Sequence, residues 1–427
     1  EEYMRARAED VLDIRNGLLG IVTGTKDEDY SDVPDGSVLI LKNISVSTAA
    51  TIDREHVRAI VVQEGSASSH SSIILSAMGI PTAFGAENIK DDLHTGDLVF
   101  VDTTRTESEI FVIDDEEENR LCEVRIENYN ALVARSKNDI RKKITTKDGR
   151  NIEICCNIGT AEDAGEALEN GGDGIGLLRT EFLFSDRESP PTEDEQFECY
   201  KKILQIMKEY QVTIRTLDAG GDKPLSYIPI PKEDNPALGV RGIRLYRRFP
   251  DIYKTQLRAL VRASAYGDLR IMIPMVTDIE EMDSVRSYIS EVMRDFDRSG
   301  ISYNRELKIG CMIETPAAAI CAQELAEHAD FFSIGTNDLV QYVMCADRNN
   351  SRVTSPRMIY NPAVTKLIKG VADAAAKKGI TVSVCGEAAS DEEFIRILLS
   401  YGIESFSVSP GKCAVVKQML SEISIAD

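Results

Sequence analysis

The stretch that decides the fold is residues 308–338, which read KIGCMIETPAAAICAQELAEHADFFSIGTND. The apolar run Lys308–Glu314 predicts a short buried strand, Ala317–His328 has the periodicity of a helix, and Phe331–Gly335 predicts a second strand. A strand, a helix and a further strand joined by short connections are typical of a βαβ unit, in which the two strands are parallel. This segment therefore predicts one unit of a parallel α/β fold.

The same alternation extends from this segment toward both ends of the chain. It predicts six further strands, namely Ile152–Cys156, Gly174–Leu178, Thr213–Leu217, Arg270–Met275, Thr381–Cys385 and Ser405–Ser409. Helical patterns such as Ile279–Arg298 fill most of the gaps between them. Eight strand-and-helix units in about 270 residues fit a (β/α)8 barrel better than an open sheet.

The region before this barrel has a different pattern of apolar residues. Its apolar runs predict four short strands, at Ser37–Leu41, Ala59–Val62, Leu98–Val101 and Ile110–Val112. We interpret this region as a small α/β domain of about 80 residues. Residues 115–143 are strongly charged, with apolar residues at helical spacing, and predict a solvated helix that connects the two regions.

The composition excludes several classes of function. Of the 427 residues, 43% are apolar, which is enough for sizeable cores. The chain has 71 acidic and 49 basic residues, and the net charge of −22 argues against binding to nucleic acid or to anionic membranes. No apolar run is long enough for a membrane helix, so we expect no membrane insertion. The nine scattered cysteines contain no CxxC pair and indicate free thiols in a reducing cytoplasm rather than a zinc site.

In a barrel of this kind, ligands bind at the C-terminal ends of the strands. Basic residues near predicted strand ends are Arg179, Arg215, Lys223, Arg241 and Arg348, and acidic residues in the same positions are Glu314 and Asp338. The arginine fork suits phosphate or carboxylate, and carboxylate oxygens suit Mg²⁺. Any one of these charges could be a surface residue or a salt-bridge partner. All seven together favour a site for a small phosphorylated acid.

Two further residues carry reactive groups. Cys385 ends a predicted strand, where a thiol can act as a nucleophile, as a proton donor, or only as a small buried hydrophobe. His70 lies in the Gly/Ser-rich loop Gly65–Ser72, whose N–H groups and hydroxyls can bind an anion. The local sequence favours a capping or packing role for His70 over a role as a phosphoryl carrier.

Seven segments in this order resemble a known family. They are Asn157–Thr160, Gly176–Phe184, Pro191–Phe197, Gly220–Lys223, Ile313–Ala317, Phe332–Leu339 and Cys385–Glu387. The ordered set resembles enzyme I of the bacterial phosphotransferase system, the family of phosphoenolpyruvate–protein phosphotransferases. The resemblance covers nearly the whole chain.

The resemblance implies a role for each candidate residue. His70 matches the histidine that is phosphorylated, and Cys385 matches the acid that protonates the enolate of pyruvate. Residues that match the basic and polar groups around phosphoenolpyruvate are Arg179, Arg215, Lys223, Arg241, Asn337 and Arg348. The two that match the Mg²⁺ ligands are Glu314 and Asp338. The implied reaction moves the phosphoryl group from phosphoenolpyruvate to His70, releases pyruvate, and continues to the histidine-containing phosphocarrier protein.

The resemblance also implies the organisation of the chain. Residues 1–22 match the last helix of the domain that docks the carrier protein, and 30–114 match the swivelling phosphohistidine domain. Residues 115–145 match the linker helix, and 146–427 match the phosphoenolpyruvate-binding TIM barrel. The family is cytoplasmic and forms dimers through its barrels, so the resemblance implies a homodimer. Relative to the family pattern, we expect the chain to be truncated at both ends.

Departures from the family pattern lie mainly around His70. Ser66 stands where the family usually has a second glycine, and Leu75-Ser76 replaces an Ala-Arg pair. These departures leave open a non-catalytic regulatory paralogue. The dikinases and phosphoenolpyruvate synthases share the barrel and the histidine domain and form a second alternative. They require a large ATP-binding domain, and the sequence supplies none.

Overall fold

The computed structural model describes most of the predicted barrel and parts of the region before it. The described residues are 30, 33–44, 48, 52–53, 55–63, 75, 80–84, 93–104, 108–136, 140–185, 187–221, 225–348, 350 and 353–424. The predicted helix at 1–22 lies outside them. The chain divides into two compact units between Glu127 and Asn128. No helix in the described ranges combines the length and the apolar composition that a membrane span requires.

The first unit contains two small β structures in its described part. The strands are β1 (Ser37–Leu41), β2 (Val57–Val62), β3 (Thr82–Phe84), β4 (Val99–Asp102) and β5 (Glu109–Val112). Strands β1, β2 and β3 form a parallel sheet in that order, while β4 and β5 form an antiparallel ladder. The four strands predicted in this region are therefore confirmed. The short strand β3 was not predicted, because three residues are too few to show a periodicity.

Helix α1 (Glu116–Ser136) follows these strands. Its first turn is acidic, which suits the positive end of the helix dipole. Leu121, Val124 and Tyr129 have exposed side chains, so the prediction of a solvated helix is confirmed. The helix ends at Ser136 and does not extend to residue 143, because residues 140–142 form a turn and a bend.

The second unit is a closed barrel of eight parallel strands. After the short strand β6 (Ile144–Thr145), the barrel strands are β7 (Asn151–Ile158), β8 (Gly174–Arg179), β9 (Gln211–Arg215), β10 (Leu269–Ile273), β11 (Lys308–Ile313), β12 (Phe331–Gly335), β13 (Thr381–Cys385) and β14 (Ser405–Val408). Each strand pairs with the next, and β14 pairs with β7. This ring has no free edge, and the predicted (β/α)8 barrel is confirmed.

Helices connect the barrel strands. They are α2 (Ala161–Glu169), α3 (Glu181–Phe184), α4 (Glu193–Met207), α5 (Arg244–Arg248), α6 (Pro250–Ala263), α7 (Ile279–Ser299), α8 (Pro316–Ile320), α9 (Ala322–Leu325), α10 (Thr336–Met344), α11 (Pro362–Lys378), α12 (Glu392–Ser400) and α13 (Pro410–Ser421). Short 3-10 helices occur at Pro236–Leu238, Ser264–Tyr266, Pro356–Tyr360 and Glu387–Ser390. Their buried faces and the outer faces of the strands form one large apolar core.

Several predicted element boundaries differ from the structure by one or more residues, and three of these differences have a local explanation. The single helix predicted at 317–328 is two short helices, α8 and α9, because Cys321 leaves helical geometry at φ −93° and ψ 24°. Strand β10 ends at Ile273, two residues early, because Met275 adopts the left-handed region at φ 57°. Strand β9 covers 211–215 and not 213–217, since Leu217 already belongs to the loop at the barrel rim.

The inside of the barrel is filled by side chains. A separate apolar cluster there contains Leu177, Met272, Met312, Phe331 and Cys385. The packing is close: a Cβ placed on Gly310 of β11 would lie 2.4 Å from the Phe331 ring. The barrel is therefore a packed core, and a ligand has to bind above it, at the rim.

Candidate active site

Reactive side chains collect at the C-terminal ends of five barrel strands. The residues, each with the strand it ends or follows, are Arg179 (β8), Arg215 (β9), Glu314 (β11), Asp338 (β12) and Cys385 (β13). All eight strands are parallel, so these ends share one rim. The structure thus brings these five of the predicted site residues together at one rim.

Arg241 is the most completely bonded side chain of the rim. Its Nε and Nη2 donate to the two carboxylate oxygens of Asp218, at 3.2 and 2.9 Å. Its Nη1 and Nη2 donate to Asp338, at 3.0 and 3.4 Å, and Nη1 also donates to the Tyr342 hydroxyl at 3.3 Å. All five N–H groups of the guanidinium are used in this way. Burial opposes the charge, but these two carboxylates raise the pKa of Arg241 above its usual range.

Arg215 is buried and lies between the carboxylates of Glu181 and Asp218. Its Nη2 lies 3.2 Å from Glu181 Oε2, and its Nη1 lies 3.3 Å from Asp218 Oδ2. Burial disfavours the charged form, yet Glu181, Asp218 and Glu314 together raise the pKa of Arg215. Its Nε–H has no hydrogen-bond partner among the described residues. A cation is therefore fixed at the rim with one donor still unused.

Arg179 differs from these two arginines because its side chain is open to solvent. The strand register pairs Arg179 directly with Arg215. Protein atoms around the guanidinium desolvate it, and the charge of Arg215 repels it, so the pKa of Arg179 is lowered. Two positive charges on adjacent strands, one of them solvent-accessible, favour the binding of a compact anion.

Glu314 is buried with one oxygen unused. Its Oε1 accepts the backbone N–H of Met275 at 2.7 Å, and Met275 has a left-handed φ of 57° just after the end of β10. Its Oε2 is buried without a hydrogen-bond partner in the described part of the chain. A Cβ on Gly335 would lie 2.8 Å from that oxygen, so the glycine leaves it room. Burial, followed by the charges of Asp338 and Asp218, raises the pKa of Glu314 to about 8.

The acids of the rim offer few ligands to a metal ion. No group of three or more His, Cys, Asp or Glu residues in the described ranges is arranged to hold a metal. Glu314 Oε2 is unused, and Asp338 accepts from Arg241 and Arg348 but has further lone pairs. Two hard oxygen ligands fit a cation such as Mg²⁺, which keeps several waters and usually takes substrate oxygens as well.

Asn337 and Arg348 complete this side of the rim. Arg348 Nη1 donates to Asp338 Oδ2 at 3.2 Å, and the Arg348 backbone N–H donates to Gln341 Oε1 at 2.9 Å. Asn337 is the second residue of α10 and lies beside Gly386, which has φ 130° and on which a Cβ would lie 3.2 Å from Asn337 Oδ1. The glycine after Cys385 therefore lets the β13 loop approach Asn337 closely.

Cys385 lies inside the barrel below these charges and is 1% exposed. Its Sγ accepts from the Ser333 hydroxyl at 3.3 Å and lies 3.7 Å from the carbonyl oxygen of Ile334. Burial raises the pKa of the Cys385 thiol, against the lowering effects of the Ser333 hydroxyl and of Arg215. The thiol is therefore a proton source at neutral pH and a weak nucleophile.

Comparison with known proteins places this site in a family. The family model described as "PEP-utilising enzyme, PEP-binding domain" matches residues 133–425, and "PEP-utilising enzyme, mobile domain" matches residues 33–106. The phosphoenolpyruvate-protein phosphotransferase of Priestia megaterium is 39% identical over 426 residues, which cover 100% of this chain and 74% of that protein. The chain belongs to the family of phosphoenolpyruvate–protein phosphotransferases. The Bacillus subtilis (strain 168) and Staphylococcus carnosus (strain TM300) phosphotransferases are 38% and 37% identical, each covering 99% of this chain and 74% of its relative.

The structure describes eight of the ten predicted site residues. His70 and Lys223 both lie outside the described residues. The other eight, which are Arg179, Arg215, Arg241, Glu314, Asn337, Asp338, Arg348 and Cys385, all lie at the ends of strands β8, β9, β11, β12 and β13 or in the loops that follow them. The individual roles of these residues remain predictions.

Sequence reasoning missed Asp218 and Glu181. Asp218 is 1% exposed and contacts both Arg215 and Arg241. Glu181 contacts Arg215 and accepts the backbone N–H of Asp218 at 2.9 Å. Both follow predicted strands, as Glu314 and Asp338 do, so the same positional rule would have included them.

Proposed function

We propose that this chain transfers the phosphoryl group of phosphoenolpyruvate to His70, releases pyruvate, and passes the group to the histidine-containing phosphocarrier protein. The observation that carries the proposal is the rim, where Arg179 and Arg215 lie side by side above a buried, protonated Cys385. A ligand with adjacent phosphate and carboxylate groups matches two neighbouring guanidinium groups. The names of the relatives, which specify phosphoenolpyruvate and a protein, support the same substrates.

The cations of the rim bind and orient the substrate. Arg179 and Arg215 hold the phosphate from adjacent strands, and Arg348 and Asn337 contact the substrate from the β12 side. Lys223 adds a further positive charge. Charge spreads over the phosphoryl oxygens in the transition state, so fixed cations contribute much of the catalysis.

Arg241 does not bind the substrate directly but acts through the carboxylates that it holds. All of its N–H groups bind Asp218, Asp338 and Tyr342, so it holds the two carboxylates in place. This arrangement keeps Asp338 oriented toward the rim and shapes the substrate pocket.

Mg²⁺ fits the donor set of the rim. Glu314, through its unused Oε2, and Asp338 would hold the ion, with water and substrate oxygens as its other ligands. When bound, the ion supplies positive charge that neutralises the phosphoryl oxygens. The rest of the proposed chemistry belongs to the side chains of the protein.

Cys385 supplies the proton that converts the enolate into pyruvate. The bond between phosphorus and the enol oxygen breaks, and a bond forms between phosphorus and a ring nitrogen of His70. The enolate carbon then takes the proton of the Cys385 thiol, which burial keeps protonated. The thiolate recovers a proton from water after pyruvate leaves, so the cycle is balanced.

The two halves of the reaction belong to different parts of the chain. His70 lies in the range of the mobile-domain match, and the rim lies in the range of the PEP-binding-domain match. We therefore propose that residues 30–114 carry the phosphoryl group between the barrel, residues 146–427, and the carrier protein, with residues 115–145 as the hinge. We further propose a cytoplasmic homodimer that forms through the barrel.

Incubation of the full chain with labelled phosphoenolpyruvate and Mg²⁺ tests the proposal. We expect a protein-bound label that is labile in acid and stable in base, as a phosphohistidine is, together with an equal amount of pyruvate. His70→Ala should abolish the label. His94→Ala is the matched control, because His94 is an exposed histidine of the same unit.

Three outcomes of this experiment contradict the proposal. A label that persists in His70→Ala means that another group is phosphorylated. A label that forms in a parallel incubation with labelled ATP in place of phosphoenolpyruvate indicates the dikinase alternative. Binding of phosphoenolpyruvate by the wild type without any label indicates the regulatory alternative that Ser66 and Ser76 leave open.

A further inference from the structure

A buried network of side-chain hydrogen bonds lies behind the rim. Its centre is Gln256 on α6, which is 0% exposed. The Gln256 amide nitrogen donates to Thr180 Oγ1 and to the Tyr200 hydroxyl, both at 3.2 Å, and Oε1 accepts the backbone N–H of Leu217 at 2.9 Å. A buried glutamine is costly unless its polar groups are bonded, and here each of them is.

The direction of every bond in this network is determined. Thr180 donates its hydroxyl proton to the carbonyl oxygen of Arg215 at 2.9 Å, so it must accept from Gln256. Tyr200 donates to Gln196 Oε1 at 3.2 Å, so it also accepts from Gln256. The Leu217 N–H can only donate, which fixes the Gln256 oxygen toward it. We call this network the Gln256 relay; its side chains are Thr180, Gln196, Tyr200 and Gln256.

The relay holds the backbone where strand β9 ends. Strand β9 ends at Arg215, and only one further backbone bond to β10, from Thr216, is described beyond it. The Arg215 carbonyl and the Leu217 N–H are bonded to the relay, and the Thr216 N–H donates to the Met272 carbonyl at 3.0 Å. Residues 215–218 carry the Arg215 guanidinium at one end and the Asp218 carboxylate at the other. The positions of both charged groups therefore depend on this short segment.

We propose that Gln256 is a positioning residue for substrate binding, which acts by fixing the segment that presents Arg215 and Asp218. It contacts neither of their charged groups and would not contact the substrate. The inference rests on the proposed function, because it takes Arg215 as a ligand of phosphoenolpyruvate. A displacement of a binding group by about 1 Å can cost up to about 10²-fold, so a loosened segment should weaken binding measurably.

Calorimetric titration of the full chain with phosphoenolpyruvate and Mg²⁺ tests this role, with His70→Ala in the wild-type reference and in every variant so that no phosphoryl group is transferred. Gln256→Met and Thr180→Val remove bonds of the relay with little change in volume, and we expect each to raise the Kd about tenfold or more. Thr180→Ser keeps the hydroxyl and should stay within about twofold of the wild type. The double variant of Gln256→Met and Thr180→Val should be no weaker than the weaker single variant, because both changes break the same relay.

Val261→Ala is the matched control for lost stability. Val261 is a fully buried residue of the same helix, and its apolar side chain has no bond in the relay. We expect it to lower the melting temperature as the relay variants do while leaving the Kd unchanged.

Relay variants whose Kd matches this control would overturn the inference, as would a Thr180→Ser variant that binds as weakly as Thr180→Val. If Gln256→Met does not fold, the two Thr180 variants decide alone. A wild type that binds no phosphoenolpyruvate contradicts the proposed function itself.

Discussion

Arg179 and Arg215 are direct cross-strand neighbours at the ends of β8 and β9. Like charges in such a position repel each other, and Arg215 contributes to the lowered pKa of Arg179. Arg215 is held by Glu181 and Asp218, whereas no hydrogen bond or ion pair of Arg179 occurs within the described residues. The pair is thus electrostatically unfavourable by itself and suited to an anion that neutralises both charges.

The first prediction follows from this asymmetry. Arg179→Met should leave the free energy of unfolding unchanged or raise it by up to about 1 kcal/mol, because it removes a repelled charge from a solvent-exposed position. The same variant should weaken phosphoenolpyruvate binding about 10- to 100-fold, because charged hydrogen bonds to the substrate are lost. Urea unfolding and thermal shift with the ligand measure the two effects separately.

Arg215→Met is the informative comparison for this prediction. It leaves the buried Asp218 and the partly buried Glu181 beside an apolar group, so it should destabilise the protein by about 3–5 kcal/mol as well as abolish binding. Arg298→Met, at an exposed position on α7, should change neither quantity. A large loss of stability in Arg179→Met would contradict the view that Arg179 is retained for its ligand.

The second prediction concerns Asp218, which bridges the two buried arginines Arg215 and Arg241. Asp218→Asn keeps the shape but removes the negative charge between them. We expect a loss of about 3–5 kcal/mol in the free energy of unfolding, measured from the urea midpoint at constant slope. Asp194→Asn, in an exposed ion pair with Arg262, is the control and should cost less than about 1 kcal/mol. Equal midpoints for the two variants would show that Asp218 is not a structural bridge.

Most of the barrel could be predicted because its strands are buried on both faces and read as continuous apolar runs. Their ends were less predictable. Leu217 is as apolar as the strand before it, but it lies in the loop that the Gln256 relay holds. Met275 has a positive φ that no local preference of methionine predicts, and its backbone N–H donates to Glu314, a residue distant in sequence.

The site was predictable to the extent that position after a strand implies position at the rim. That rule found Glu314 and Asp338, and it applied equally to Asp218. It could not show that the N–H groups of Arg241 all donate to Asp218, Asp338 and Tyr342, because this pairing depends on segments distant in sequence. Gln256 lies on the buried face of α6, with Tyr253 three residues before it, and a polar residue among apolar ones at helical spacing is a signal in the sequence for a buried hydrogen-bond network.

The third prediction concerns the Cys385 thiol. Because burial raises its pKa, Cys385 should resist iodoacetamide at pH 8 while the exposed Cys321 and Cys345 react. Peptide mass spectrometry after brief alkylation measures this order. Cys385→Ala should lower kcat for pyruvate release by about 10²- to 10⁴-fold, since the proton donor is lost.

Cys311→Ala is the matched control for this loss. Cys311 is also a buried strand cysteine, but its side chain belongs to the large outer core and not to the cluster inside the barrel. Its removal should affect stability more than kcat. Rapid alkylation of Cys385 in the folded protein, or a Cys385→Ala variant with full kcat, would exclude the thiol as the acid.

The fourth prediction concerns the pH dependence of stability at the start of α4. The Glu195 carboxylate accepts the Thr192 backbone N–H and pairs with Arg187, and these contacts lower the pKa of Glu195 to about 2. The folded state thus binds this proton less tightly than the unfolded chain does, so the stabilisation is present above the unfolded pKa and is lost as pH falls toward 2.

The melting temperature of the wild type should exceed that of Glu195→Gln at pH 7, and the difference should shrink between pH 4 and pH 3. Glu198→Gln, on the same helix but outside the cap, should show no comparable trend. A difference between wild type and Glu195→Gln that is constant over this pH range would mean that the charge of Glu195 does not stabilise the cap.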